Sequence, residues 1–476
     1  MFDAPQSPLR PAGTTAAEPP ETAADKWSDP RWAWAPYEPD DARRWNSRLA
    51  GHLYRRAAFG ADFGQLERAL DDGPQRTIDR LLQGEADATV FNQTYDGYEA
   101  GAASADGLRA WWLRRMMLTP HPLLEKMTLF WHDHFGTSNA DVKDARLICA
   151  HVHLLRSHAL GRFQPLLEGV ARDPAVLVGL GCQANRKAQP NENYARALMD
   201  NFTLGKGNYA EADLREASRA LTGWFVLRSR LRYIEREHDA GTKKVLGREG
   251  DFDDKDIARI VLEQPAASRL LVGKLYRWLI CETDPPGKPL IAPLAESFAK
   301  DYDIGKLVET MLRSNLFFSP AAYRRRIKGP VEFALGIIRG LEGMIPTGPL
   351  GHELAALGQN LYHPPTVKGW PGGRHWINHA TLLGRSSLAQ ALLAGKEPYG
   401  ETLDPLAVAR RHGHRSPEAA GRFLLDLFLQ GDVEPGVREA LLQTAAASDA
   451  AAGSNAGQRL RQLAHHVVML PEFQLA

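Results

Sequence analysis

From Pro190 to Trp224 the chain reads PNENYARALMDNFTLGKGNYAEADLREASRALTGW, a stretch whose spacing leaves room for two short helices parted by a glycine break. Tyr194, Ala195, Leu198 and Phe202 recur at helical spacing, so Asn191 to Leu204 is expected to be a helix with one apolar face and Asn191 as its cap. Gly205 and Gly207 stop it. A second helix opens at Glu211 or Asp213, whose carboxylates suit a positive N-terminus, and runs through Ala217, Ala220 and Leu221 to Gly223. The centre of the chain is therefore helical.

That centre holds more polar groups than a plain core helix requires. Glu192 and Arg196 stand four apart, and one reading is an exposed ion pair worth a few tenths of a kcal/mol. The other is that Asn191, Glu192, Asn193 and Arg196 present donors and acceptors to a ligand near a helix N-terminus. Asparagines are poor helix formers and are better placed at caps or in contacts.

Helical patterns also dominate before and after this stretch, for example at Ser47 to Ala58, Gly107 to Leu118, Asp144 to Leu160, Ala266 to Ile280 and Pro330 to Leu341. After Trp224, FVLRSRLRYIE alternates apolar and basic groups as a strand or hairpin edge does. Residues 1–26 are rich in Pro, Ala, Thr and Glu and are expected to be disordered. Residues 27–46 carry four tryptophans among prolines, an extended arm laid over the domain surface or a partner-binding segment. Residues 47–476 form the helical domain, and 476 residues with 44% hydrophobic composition support a substantial core.

With 58 basic against 57 acidic residues, no global field draws the chain to nucleic acid or an anionic membrane. No stretch approaches the roughly 20 apolar residues of a membrane span. Three dispersed cysteines, Cys149, Cys182 and Cys281, suit free thiols in a reducing compartment. The N-terminal residues show no export leader, so the expected location is cytoplasmic.

Three further segments carry candidate chemistry. His132 and His134 form an HxH pair, a candidate for a divalent metal. On a helix, positions two apart diverge by about 200°, so joint ligation requires the last turn to unwind, and a histidine-lined site without metal is the competing reading. In EHDAGTKKVLG, His238 and Asp239 are adjacent and Lys243 adds a cation, a set suited to proton transfer or to holding a hydroxylated ligand. In the late loop LYHPPTVKGWPGGRHWINHATLLGR, prolines and paired glycines exclude regular helix. There Trp370, Trp376, Asn378 and Arg385 offer stacking faces and hydrogen-bonding edges for a sugar or polymer groove, or else plug the helical core.

NENYARALMDNFTLG and SRALTGW resemble the signature of a large bacterial family, domain of unknown function 1800. LYRRAAFG, TLFWHDHFG, HDAGTKKVLG, PPTVKGWPGG and the terminal LPEFQ match further motifs in the family's order, over about residues 50–476. Where the family usually reads NENYARELMELFTLG, this chain has Ala197 for the glutamate and Asn201 for the leucine. The resemblance implies a largely helical fold and candidate site positions without a chemistry. Family members are often exported, which makes this chain a cytoplasmic variant, and often encoded beside alkaline-phosphatase-like proteins, which suggests a protein partner.

The expected fold is mainly α: one large helical body with long irregular loops and a minor β element near residues 224–250. Two functions compete. One is a hydrolase-like enzyme on a polar, glycan-like small molecule or oligosaccharide, with Glu192, His238 and Asp239 catalytic, Asn191, Asn193, Arg196, Lys243, Trp370, Trp376 and Asn378 binding substrate, and His132 and His134 acid/base groups or metal ligands. The other is a noncatalytic binding or assembly protein using the same groove.

Overall fold

The helices begin where short polar side chains and prolines say they should. Asp62, Asp253 and Asn378 each cap a helix and close a reciprocal bond with the residue three on. Pro122, Pro174, Pro265, Pro330, Pro405, Pro417 and Pro471 occupy first helical positions, where a missing N–H costs nothing. The computed structural model describes residues 23–84, 87–100, 104–447 and 456–476. It is mainly α, with two small antiparallel hairpins.

The helix Pro122–Phe135 runs through the middle of the body. Leu123, Met127, Leu129, Phe130, Trp131 and Phe135 bury faces all round it, as an interior helix requires. It packs against Ser47–Ala57, Ala105–Leu118, Ala145–Ser157 and Ala197–Thr203. Its buried Glu125 is fully paired, accepting from Arg115 at 2.5 Å, Arg156 at 2.8 Å and the Trp112 indole at 3.0 Å.

The hairpins share one design. Trp224–Leu227 pairs with Arg230–Tyr233, and Lys243–Val245 with Arg248–Gly250. Each is joined by two residues of positive φ, Arg228 (52°) with Ser229 (58°) and Leu246 (50°) with Gly247 (81°), the turn whose twist matches the strands.

Three expectations change in detail. The helix opened by Asn191 is α-helical over Glu192–Arg196, then widens into a π-helix over Ala197–Thr203. Residues 27–46 are partly helical rather than extended, taking in the end of the helix Ala23–Ser28 and the helix Pro30–Trp34. Their tryptophans anchor on the body: the Trp34 indole donates to Leu290 O at 2.7 Å and the Trp45 indole to Ala69 O at 2.9 Å. Of residues 1–26, expected to be disordered, 1–22 lie outside the described residues and 23–26 belong instead to the helix Ala23–Ser28. All three cysteines are free and buried, and among the described residues no helix is long and apolar enough to cross a membrane.

Candidate functional site

The central helix ends at Gly136, which takes the left-handed conformation at φ 56°. Asp133 and His134 lie in its last turn. The loop of residues 361–376 is laid across that end, and two of its glycines explain how it comes so close. At Gly369, with φ 77°, a Cβ would overlap the Asp133 carboxylate, which accepts the next N–H, that of Trp370, at 2.6 Å. At Gly372, with φ 66°, a Cβ would stand 2.9 Å from Glu282 Oε1. The motif GWPGG thus threads a backbone between two carboxylates.

Beneath this loop is a cavity of about 290 Å³. Trp278, Trp370 and Trp376 give it aromatic walls, and Asp133, His134, Lys274, Glu282, Arg326 and Glu332 supply its polar groups. Arg277 and Lys368 also line it. Few polar groups converging among aromatic faces is the usual make-up of a ligand site.

Burial sets the protonation of the polar groups. It pushes the Asp133 carboxyl up to about 6, against the opposing pull of the Trp370 N–H and the charges of Lys274 and Arg326. It lowers the Lys274 ammonium to about 8, with Asp133 resisting. His134 is held well below its ordinary value by burial and by the Lys274 charge. Lys274 Nζ donates to His134 Nδ1 at 2.9 Å, so the proton of the neutral ring sits on Nε2, which donates to Phe202 O at 3.2 Å. Glu332 falls below the ordinary carboxylate range although burial opposes this, because Arg326, at 2.6 Å, and Lys126 both donate to it.

The π-helical segment enters here through its backbone. Carbonyls in the last turn of a helix lack intrahelical donors. Asn201 O accepts from Lys274 Nζ at 3.2 Å and Phe202 O from His134, so the end of NENYARALMDNFTLG holds both side chains in place. Single π turns are often found at functional sites.

Of the residues singled out from the sequence, His134, Trp370 and Trp376 line the cavity. His132, two residues before His134, faces elsewhere: it is buried, accepts Tyr362 N–H at 3.2 Å on Nε2, packs edge-on to Trp370 at 5.5 Å, and is lowered by burial to about 3. The helix stays wound, so the two rings meet different partners, and among the described residues no group of three or more His, Cys, Asp or Glu has metal-site geometry.

The remaining candidates lie away from the cavity. Asn191 caps its helix, accepting from Tyr194 N–H at 3.0 Å, while Glu192 and Asn193 are exposed. Arg196 pairs with Glu211 across two bonds of 3.1 Å, not with Glu192. His238 Nδ1 meets Thr222 O at 3.0 Å, Asp239 is held by Arg219 at 2.7 and 3.0 Å, and Lys243 by Asp251 at 2.7 Å. Asn378 caps the helix His379–Leu393. Asp133, Lys274, Trp278, Glu282, Arg326 and Glu332 were not singled out from the sequence, although Asp133 stands between the two histidines and Gly369 and Gly372 announce a close approach.

A family model described as a protein of unknown function (DUF1800) matches residues 52–475. No curated protein and no solved structure matches the chain.

Proposed function

Because this chain belongs to the DUF1800 family, whose description carries no activity, we propose its role from the cavity: a hydrolase-like enzyme acting on a polar, glycan-like substrate. The observation that carries the reading is that Asp133 and Lys274, displaced toward neutrality from opposite sides, face one tryptophan-walled space. Opposed displacements of this kind are how acid and base roles are set in one site. Between about 6 and 8, Asp133 is mostly carboxylate and Lys274 mostly ammonium.

In that state Asp133 takes a proton from an attacking water as its oxygen bonds to the substrate carbon. Lys274 gives a proton to the leaving oxygen as the old bond breaks, and solvent then returns Lys274 its proton and removes the one on Asp133. The Asn201 carbonyl and His134 Nδ1 aim the ammonium, and the Trp370 N–H aims the carboxylate. Flat sugar faces suit the indoles of Trp370 and Trp376.

The test is a hydrolysis screen with chromogenic glycosides and oligosaccharides, read against pH. Turnover should follow a bell with limbs near 6 and 8, and Asp133→Asn or Lys274→Met should lower it by roughly 10²-fold or more. Folded protein that neither turns over nor binds any member of the panel would end this reading.

A further inference from the structure

A second, smaller cavity of about 20 Å³ lies between the helix Ser47–Ala57 and the turn before Pro330–Gly340, away from the tryptophan-walled one. We infer that it is a binding site for a single monatomic anion of chloride size, held between Arg55 and Lys328. This does not rest on the hydrolytic reading.

Both cations are buried, Arg55 at 7% and Lys328 at 4% exposure, and both line the cavity. Arg55 gives one terminal nitrogen, Nη1, to Gln430, while its Nε and Nη2 are buried with no acceptor among the described residues. Its polar neighbour Tyr323, with the ring centre 5.7 Å from the guanidinium carbon, turns its hydroxyl oxygen toward the guanidinium while donating to Asp432 at 2.7 Å, and Asp432 supports the same charge from farther off. The Lys328 ammonium sits 3.6 Å from the centre of the Phe473 ring, whose π face favours a charged amine but does not neutralise it. Neither residue makes an ion pair among the described residues.

The nearby acids are already committed. Glu332 accepts from Lys126, from Arg326 and from the Gly329 N–H at 2.8 Å. Asp432 serves Arg48 at 3.2 Å and Arg324 at 3.0 Å. Lys328 feels Arg55, Arg385 and Lys126 against Glu332 alone, and burial drives its amine further toward the neutral form. A buried guanidinium with two donors unpaired, beside a buried amine that makes no ion pair, is costly, because buried polar groups are tolerated when paired.

Size suits the simplest ligand. About 20 Å³ of space for a water-sized centre accommodates one small sphere such as a halide. Gly336 lines the same space, with room for a Cβ in ordinary contact, 3.9 Å from Lys328 Nζ. Halide binding would hold Lys328 in its charged form and fasten the RRAAFG turn to the C-terminal Phe473.

The experiment is thermal unfolding of the full chain in sodium chloride or bromide against sodium gluconate at equal ionic strength. The melting temperature should rise with halide and saturate, and Lys328→Met should lose that response. If Lys328→Met does not fold, crystals of the unaltered protein grown in bromide decide, through an anomalous peak between Arg55 and Lys328. Equal melting in halide and gluconate, a response that Lys328→Met retains, or bromide crystals without that peak would overturn the inference.

Discussion

The signature region of residues 191–251 and the cavity built from residues 126–134, 274–282, 326–332 and 361–376 draw on the same residue types and use them differently. In the first, Asn191 caps a helix, Arg196 pairs with Glu211, Arg219 with Asp239 and Lys243 with Asp251. Most of these groups are exposed or partly so, and satisfied by neighbours near in sequence or on an adjoining turn. In the second, Asp133 and Lys274 are displaced toward neutrality by burial, and their partners come from distant parts of the chain. Polar density along a sequence reports caps and surface pairs as readily as chemistry. Polar density in a buried space is the sharper indicator.

The contrast is tested most severely where it predicts the greatest loss. Glu332→Gln leaves Lys126 and Arg326 as buried cations without their acid, and should destabilise by about 3 to 5 kcal/mol in denaturant unfolding. A loss under 1 kcal/mol would mean that water reaches this wall freely. Trp224→Ala, in the signature region, should cost about 2 kcal/mol, less than a fully buried tryptophan, because the ring is partly exposed against Tyr233 at 4.9 Å and Arg172 at 5.0 Å.

Asp133→Asn should move the other way. The folded carboxyl sits at about 6, above its usual 3.8, so the native state binds a proton that the unfolded chain releases between those values, and stability falls as pH rises through them. Above that window the ionised carboxylate is a standing cost. Removing it should raise stability at pH 7 to 8 by about 1 to 2 kcal/mol, partial exposure reducing the full linkage value, with the gain fading as pH falls toward 4. A stabilisation that persists unchanged at pH 4 would point to packing instead.

Smallest should be the effects on the signature's exposed side chains. Glu192→Gln and Arg196→Gln are expected to stay within about 0.5 kcal/mol of the parent, since an exposed pair contributes little. Their effect on hydrolysis or ligand binding should be equally slight, and a large loss of activity with intact stability would move the functional site back to this region.

Much of the fold was legible because its causes are local. Asn191 caps its helix as its place in the sequence implies, and the alternation in FVLRSRLRYIE gave its hairpin, whereas Asn378, read as a binding residue in a non-helical loop, caps the helix His379–Leu393 that begins inside that stretch. The π-helix over Ala197–Thr203 was not legible, because seven residues are too few to separate its period from 3.6. The cavity was legible in part. His134, Trp370 and Trp376 stood out by type and motif, whereas Asp133 and Lys274 look ordinary in sequence. Their displacement arises from burial beneath a loop that begins 87 residues after Lys274 and more than 200 after Asp133, and Lys274 is aimed by the Asn201 carbonyl, whose side chain takes no part.

The central claim is that Asp133 and Lys274 are coupled and titrate near neutrality, and carbon-13 NMR of the labelled Asp133 carboxyl as pH is varied tests it most directly. The midpoint should lie near 6 and rise further in Lys274→Met, because the ammonium now holds it down. A midpoint in the ordinary carboxylate range, unmoved by Lys274→Met, would contradict the account.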